Sequence, residues 1–202
     1  MSKRHEAAVL HLQDRDVRLG AVIETVGPCK LVLRRNRFES LVRAIISQQI
    51  STAAARSIRE RLHTRVGSFT PEALLDLADE DYRGCGVSPQ KIRYLRDLAG
   101  HVHSGEVPLN RIGRLSDEEI IARLTAVRGI GRWTAQMFLM FSLGRPDILP
   151  HDDLGIRNAI RRLYELSEAP TRDVMDEIAT PWRPHATVAC WYLWRSLENV
   201  PG

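Results

Sequence analysis

Residues 124–135 read Leu124-Thr-Ala-Val-Arg-Gly-Ile-Gly-Arg-Trp-Thr-Ala135. One apolar residue separates the two glycines of this stretch, Gly129 and Gly131, and the apolar residues on either side follow helical spacing. Glycine adopts positive φ and lets another backbone approach closely, so the pair predicts a tight turn between two helices. The amides of the glycines and of the next helical turn would then face outward, beside the positive end of the second helix. Such a turn favours anions, and for a DNA partner the anion is a phosphate.

Helical spacing also dominates the rest of the chain. The apolar residues of 38–46 lie at the positions of an amphipathic helix. Further helix-start signals are Thr70-Pro71, Ser88-Pro89, the capping-box pair Ser116 and Glu119, and Pro184 before the last helix. Residues 30–33 form the only strand-like stretch, which is too short and isolated to indicate a sheet. The sequence therefore predicts an all-α fold with nine to eleven helices.

Composition excludes several classes of protein. The chain has 202 residues, 44% of them hydrophobic, and a formal net charge of +4, which favours a polyanionic partner only weakly. Its three cysteines, Cys29, Cys85 and Cys190, are far apart and form no CxxC pair, so we expect neither a zinc site nor an iron–sulfur cluster. No signal sequence or run of about 20 apolar residues is visible, which predicts a soluble cytoplasmic protein with no membrane partner.

Two features together point to a family. The spacing of Leu124, Val127, the glycines and Ala135 resembles the helix-hairpin-helix motif, which binds DNA without sequence specificity. Beyond it, a loop rich in glycine and proline (residues 144–150) leads to His151-Asp152-Asp153. The 20 residues from Trp133 to Asp153 match the spacing in the alkylbase branch of the helix-hairpin-helix (HhH-GPD) DNA glycosylases.

The resemblance extends from residue 38 to residue 195 and implies a fold and a partner. It implies a two-lobed helical protein in which residues 51–153 form a six-helix barrel that bears the hairpin at 124–142. Residues 1–50 and 154–202 would form a second lobe from both termini, without the N-terminal β domain of the larger glycosylase II enzymes. The partner implied is double-stranded DNA, and nothing in the sequence indicates an oligomer.

The resemblance assigns the catalytic role to Asp153. Breaking a glycosidic bond leaves a cationic, oxocarbenium-like sugar, which a nearby carboxylate stabilises while it orients the attacking water. A carboxylate at a helix start accepts backbone N–H bonds and stays ionised, as this role requires. We expect Asp152 to cap the helix and His151 to be a loop residue.

The position two residues after Gly131 distinguishes two kinds of glycosylase. Relatives that also nick the strand carry a nucleophilic lysine there, whereas this chain has Trp133, which implies hydrolysis alone. Trp133, Trp182 and His185 are then expected to line an aromatic pocket that suits a positively charged alkylpurine of the 3-methyladenine type. His185 departs from the aromatic residue that is usual in the family, so the preferred base stays open.

The remaining assignments concern DNA. Gln49 matches the residue that fills the gap left by the extruded base, and Gln48 is expected to bond a backbone group. The hairpin contacts would come from Gly129, Ile130, Gly131, Arg132 and Thr134. In the family, hairpin carbonyls often hold a monovalent cation. Here the matching carbonyls are those of Thr125, Val127 and Ile130, for a sodium or potassium ion and no other cofactor.

Three alternatives remain at this point. A glycosylase for mismatched or oxidised bases could share the scaffold. A non-catalytic DNA-binding module could use the same hairpin, although the spacing of Asp153 argues against it. An all-α protein with no nucleic-acid role would show no salt-dependent affinity for DNA.

Overall fold

The computed structural model describes residues 3–198, and within that range the secondary structure is helical, with no strand. Twelve α-helices are present in this part of the chain: α1 (Lys3–Arg15), α2 (Val17–Val26), α3 (Arg37–Ser47), α4 (Thr52–Val66), α5 (Pro71–Asp76), α6 (Asp79–Gly84), α7 (Pro89–His103), α8 (Asp117–Thr125), α9 (Arg132–Phe138), α10 (Leu154–Leu163), α11 (Arg172–Ala179) and α12 (Ala186–Glu198). A π-helical turn, Leu139–Leu143, continues α9. None of these helices is long and apolar enough to cross a membrane.

The predicted start signals act as expected. Thr70 and Ser88 cap α5 and α7 and are each followed by a proline in the first turn. Ser116 and Glu119 form a complete capping box at the start of α8. The helix count exceeds the prediction because short helices such as α6, with six residues, give no periodic signal. The last helix begins at Ala186, two residues beyond the predicted proline.

The chain divides into two compact units. The central unit holds residues 34–143, and the terminal unit combines the segments before and after it. The sequence predicts boundaries after residues 50 and 153, whereas the compact units divide after residues 33 and 143. Helix α3 explains the first difference, because it packs against α4, α7 and α9 of the central unit.

The central unit contains seven α-helices, α3 to α9, where the resemblance implied a barrel of six. The apolar residues that define the hairpin pattern all lie in its core: Leu124, Val127, Ile130 and Ala135 are each less than 5% exposed. Their burial fixes the turn between α8 and α9 to the body of the unit.

The terminal unit is built around α12, which packs against α1, α2 and α10. Asp16, the N-cap of α2, joins distant parts of this unit, since its Oδ2 accepts hydrogen bonds from Tyr164 Oη and from Trp182 Nε1. Burial, together with the bond to Asp16, raises the pKa of Tyr164, which keeps the phenol protonated and able to donate.

Candidate nucleic-acid interface and carboxylate site

The two hairpin glycines have different structural roles. Gly129 has φ +82°, and a Cβ atom placed on it would lie 2.3 Å from Cδ2 of Tyr94. Gly131, the N-cap of α9, has φ −92°, and no heavy atom lies within 4 Å of a Cβ placed there. Gly129 is therefore required by the fold, whereas the space beside Gly131 is open to a partner.

Side chains from other helices hold the turn between α8 and α9. Gln48 Nε2 donates to the Gly129 carbonyl at 2.7 Å, and Asp97 Oδ2 accepts from the Arg128 amide at 2.8 Å. The ring of Tyr94, one turn before Asp97 on α7, packs against Gly129. The predicted backbone bond of Gln48 is present. Bonds of this kind fix a loop in one conformation before any ligand arrives.

The other predicted DNA contacts lie at or near this turn but differ in exposure. Gln49 is exposed with φ +55°, an uncommon conformation for a residue other than glycine. Arg132 is exposed and pairs with Glu118 at 2.5 Å, and this bond lowers the pKa of the Glu118 carboxyl. Thr134 is buried, and Ile130 is also a core residue, so their side chains offer little surface to DNA.

Trp133 lies in the first turn of α9 and is 46% exposed, which is unusual for so large a hydrophobic side chain. It borders a cavity of about 440 Å³ whose lining includes Gln48, Met137 and Phe141 together with four arginines. The predicted pocket residue is thus accessible for stacking.

The carbonyls proposed for a cation lie where α8 ends. Thr125 is the last residue of α8, and carbonyls of a final turn lack partners within their helix. The Val127 carbonyl accepts the Ile130 amide at 3.1 Å and retains a second lone pair. Neutral carbonyl oxygens are suitable donors for a monovalent ion, so the residues fit the group that the resemblance implies.

Asp153 lies in the terminal unit at the start of α10. Its side chain is the N-cap: Oδ1 accepts the Ile156 amide at 2.8 Å and Trp194 Nε1 at 3.0 Å. The residue is 7% exposed. Two N–H donors and the positive end of α10 are thus directed at this carboxylate.

Asp152 does not cap the helix, which corrects the sequence interpretation. Its carboxylate binds Arg172 Nη2, with both oxygens within 2.8 Å, and Asp153 occupies the capping position. The sequence could not separate the two because either aspartate stands at an acceptable distance from the helix. His151 contacts Asp176 at 3.0 Å, as expected of a loop residue.

The loop before Asp153 is fixed by side chains of the terminal unit. Thr187 Oγ1 donates to the Arg145 carbonyl at 2.7 Å and accepts the Ile148 amide at 3.1 Å. Asp147 accepts the Ala186 amide at 3.2 Å and pairs with Arg183 at 3.1 Å. These bonds tie the segment that carries Asp153 to the start of α12.

Trp182 is not in an open pocket. It is completely buried and donates through Nε1 to Asp16 at 2.7 Å, so no face of the ring is accessible to a base. Its placement corrects the expectation that it lines the pocket. His185 is half-buried and packs edge-on against His11, with ring centroids 5.1 Å apart. Burial and then the neighbouring His11 lower the pKa of His185, which favours a neutral imidazole.

Sequence reasoning missed two residues that support Asp153. Trp194 was indistinguishable from Trp191, the other tryptophan of α12, yet it donates directly to the carboxylate. A Cβ atom on Gly155 would lie 3.1 Å from Asp153 Oδ1 and from Trp194 Cδ1. The glycine therefore makes room for this hydrogen bond. The signal in the sequence was the pairing of Asp153 with a glycine two residues later.

The hairpin has an open helix start, and a buried aspartate caps the helix that follows the proline-rich loop. This combination is typical of one class of DNA-repair protein. The chain belongs to the HhH-GPD superfamily of base excision DNA repair proteins, whose model matches residues 42–184.

Relatives within the superfamily are more specific. The DNA-3-methyladenine glycosylase 1 of Schizosaccharomyces pombe is 40% identical over 199 residues, which cover 94% of this chain and 86% of the relative. A putative DNA-3-methyladenine glycosylase of Bacillus subtilis is 34% identical over 89% of this chain and 66% of its own.

Two solved structures that are similar to this chain carry names of the same kind. The 3-methyladenine DNA glycosylase of Schizosaccharomyces pombe, in complex with abasic DNA, superposes with a TM-score of 0.82 and 39% identity over 95% of this chain and 97% of its own. A DNA-3-methyladenine glycosidase from Bacillus halodurans has a TM-score of 0.87 and 38% identity over 95% and 89% of the two chains. The predicted all-α glycosylase fold is confirmed.

Proposed function

We propose that this protein is a monofunctional DNA glycosylase that removes alkylated purines of the 3-methyladenine type from duplex DNA by hydrolysis. The observation that carries the proposal is Asp153, a buried carboxylate held by one backbone amide and one indole at the start of α10. It acts as a monomer in the cytoplasm and takes the first step of base excision repair.

The duplex is bound through the backbone of the hairpin. The start of α9 has no capping side chain, so its positive end is available to a DNA phosphate. Gln49, exposed at the end of α3, enters the gap left by the extruded nucleotide. Contacts to phosphate give affinity without sequence preference, as a lesion search requires.

Hydrolysis follows from the chemistry of the leaving group. An alkylated purine with a positive charge departs easily, so it needs little help from an acid. The Asp153 carboxylate stabilises the positive charge that develops on the sugar and orients the water that attacks it. No lysine occupies the position of Trp133, so no Schiff base forms and the strand stays intact. The exposed face of Trp133 stacks on the purine.

A sodium or potassium ion at the carbonyls of Thr125, Val127 and Ile130 would strengthen the hairpin contact. When bound, the ion adds a positive charge beside the phosphate. Affinity for duplex DNA is then expected to fall when potassium is replaced by tetramethylammonium at constant ionic strength. Unchanged affinity would contradict the cation site without affecting the rest of the proposal.

The test is release of methylpurine from methylated duplex DNA by the wild type, Asp153→Asn and Asp152→Asn. We expect Asp153→Asn to lower the release rate by about 10²-fold or more, whereas Asp152→Asn, which weakens the exposed pair with Arg172, stays near the wild type. Strand breaks should appear only after alkali. Tight duplex binding without release by the wild type would instead indicate a non-catalytic module or another lesion.

A further inference from the structure

The cavity beside Trp133 carries an unusual charge. Arg34, Arg43, Arg56 and Arg59 line it, and no aspartate or glutamate is among its lining residues. All four arginines and the tryptophan belong to the central unit, so the cavity is complete within that unit. A cavity with only positive charges on its wall is electrostatically matched to an anion.

Three of these arginines differ from the fourth in having no carboxylate as an ion-pair partner. Arg56 pairs with Glu60 at 3.2 Å, but none of the ion pairs between described residues includes Arg34, Arg43 or Arg59. Burial lowers the pKa of Arg34, and repulsion from Arg43 and Arg59 lowers it further. The folded protein thus holds like charges close together, and a bound anion would relieve their repulsion.

The lining also indicates which anion fits. Guanidinium groups bind phosphate through paired N–H donors, and Trp133 adds a planar apolar face to the same wall. Trp133 is the second residue of α9, so it lies within about 3 Å, along the helix axis, of the helix start where the first phosphate is proposed to bind. Successive phosphates of one strand are separated by about 3.4 Å along the duplex axis. A strand with one phosphate at the start of α9 would therefore have further phosphates close to the cavity that Trp133 borders.

We propose that the Arg34–Arg43–Arg59 cavity is a second phosphate site, distinct from the start of α9, which binds a backbone phosphate of the lesion-bearing strand next to the extruded nucleotide. This inference rests on the proposed function for the identity of the strand. In this arrangement Trp133 stacks on the base, and the arginines neutralise the phosphate of the backbone. One cavity thus contacts two different parts of the nucleotide strand.

The first experiment compares salt dependence. Duplexes with a stable abasic analogue are titrated with the wild type, the double variant Arg34→Gln/Arg43→Gln, and Arg35→Gln. Arg35 is the control because it is exposed and adjacent in sequence but does not line the cavity. Neutralising one phosphate contributes about 0.9 to the slope of log K against log salt, so the double variant should lose about that much. Arg35→Gln should keep the wild-type slope, and equal melting temperatures would show that all three proteins fold.

The second experiment locates the phosphate. Single neutral methylphosphonates are placed along the lesion strand, and we expect one position within two nucleotides of the abasic site to weaken wild-type binding. The same substitution should leave the double variant unaffected, because the contact is already lost. Additive losses at every position would overturn the proposal, as would equal salt slopes for the double variant and Arg35→Gln.

A free nucleotide is the competing source of the same chemistry. Deoxyadenosine 5′-monophosphate is titrated calorimetrically against the wild type and the double variant in the absence of DNA. Arginine-dependent binding of this nucleotide with unchanged DNA salt slopes would overturn the proposal in favour of a mononucleotide site. None of these assays requires base release, so failure of the glycosylase activity and failure of the phosphate site are distinguishable.

Discussion

The starts of α9 and α10 use the same physical feature in opposite ways. Helix α9 begins after Gly131, which has no side chain to offer the first turn. Helix α10 begins after Asp153, whose carboxylate bonds the Ile156 amide. Each helix start carries the positive end of its helix. The start of α9 has no capping side chain and can accept an anion from a partner, whereas α10 is capped by the carboxylate of Asp153.

This difference suits the start of α9 to binding an anion and the Asp153 carboxylate of α10 to chemistry. An anion at the start of α9 would compete with phosphate for the same amides. At the start of α10 the carboxylate is buried and bonded to Trp194, so in the role that we propose it would keep its position when charge develops nearby. Four substitutions, each at one of these helix starts or at a residue that supports it, test this difference.

The largest effect is expected from Gly129→Ala in the turn before α9. The substitution places a Cβ 2.3 Å from the Tyr94 ring at φ +82°, and this strain should lower the free energy of unfolding by about 2–3 kcal/mol. Chemical denaturation measures the loss. Gly131→Ala is the matched control, since it has open space and a negative φ. Equal stability of the two variants would contradict the distinction between the glycines.

Gly131→Asp would make the start of α9 resemble that of α10. The new carboxylate should cap the helix without loss of stability. It should also repel the incoming phosphate by about 1–2 kcal/mol, which corresponds to roughly tenfold weaker duplex binding. Fluorescence anisotropy with Gly131→Ser as the neutral control separates charge from bulk. Wild-type affinity in the aspartate variant would show that this helix end does not face DNA.

Trp194→Phe removes the indole donor from Asp153 and keeps most of the apolar ring. A hydrogen bond to a charged group contributes about 1.5–3 kcal/mol, so single-turnover base release should slow by about 10- to 150-fold. Affinity for an abasic duplex should stay unchanged. Trp191→Phe on the same helix is the control, because Trp191 stacks with Arg195 and makes no bond to Asp153. Equal rates for both variants would assign Trp194 a packing role only.

The smallest effect is expected on stability at Asp153 itself. Asparagine caps a helix about as well as aspartate, so Asp153→Asn should change the free energy of unfolding by less than about 1 kcal/mol while activity is lost. Asp153→Ala, which removes the cap, should cost about 1–2 kcal/mol. A large destabilisation by asparagine would mean that the loss of activity reports unfolding instead of chemistry.

Local signals account for most of what the sequence predicted correctly. Thr70, Ser88 and Ser116 start helices because a capping oxygen and its target amide are three residues apart, a relation visible in any sequence. The buried positions of the hairpin followed from spacing in the same way. A backbone partner was expected for Gln48, although the sequence alone did not identify the Gly129 carbonyl.

The errors came from contacts between residues far apart in the chain. Arg172 pairs with Asp152 from 20 residues away, which leaves the cap to Asp153. Trp182 is bound by Asp16 across 166 residues, and nothing near either residue indicates the partner. The sequence alone did not indicate the role that we propose for Arg34 and Arg59. Only the fold brings them to one cavity whose lining includes no carboxylate.

The terminal unit has a consequence for the order of folding during synthesis. Residues 34–143 are contiguous, so the hairpin and the supports of its turn can complete their contacts as soon as residue 143 is available. Asp153 can accept the bond from Trp194 only after another 41 residues have been synthesised. The bond from Tyr192 to the Gly27 carbonyl spans 165 residues. A growing chain can therefore complete the hairpin, which we propose binds DNA, well before the contacts of the proposed catalytic carboxylate are formed.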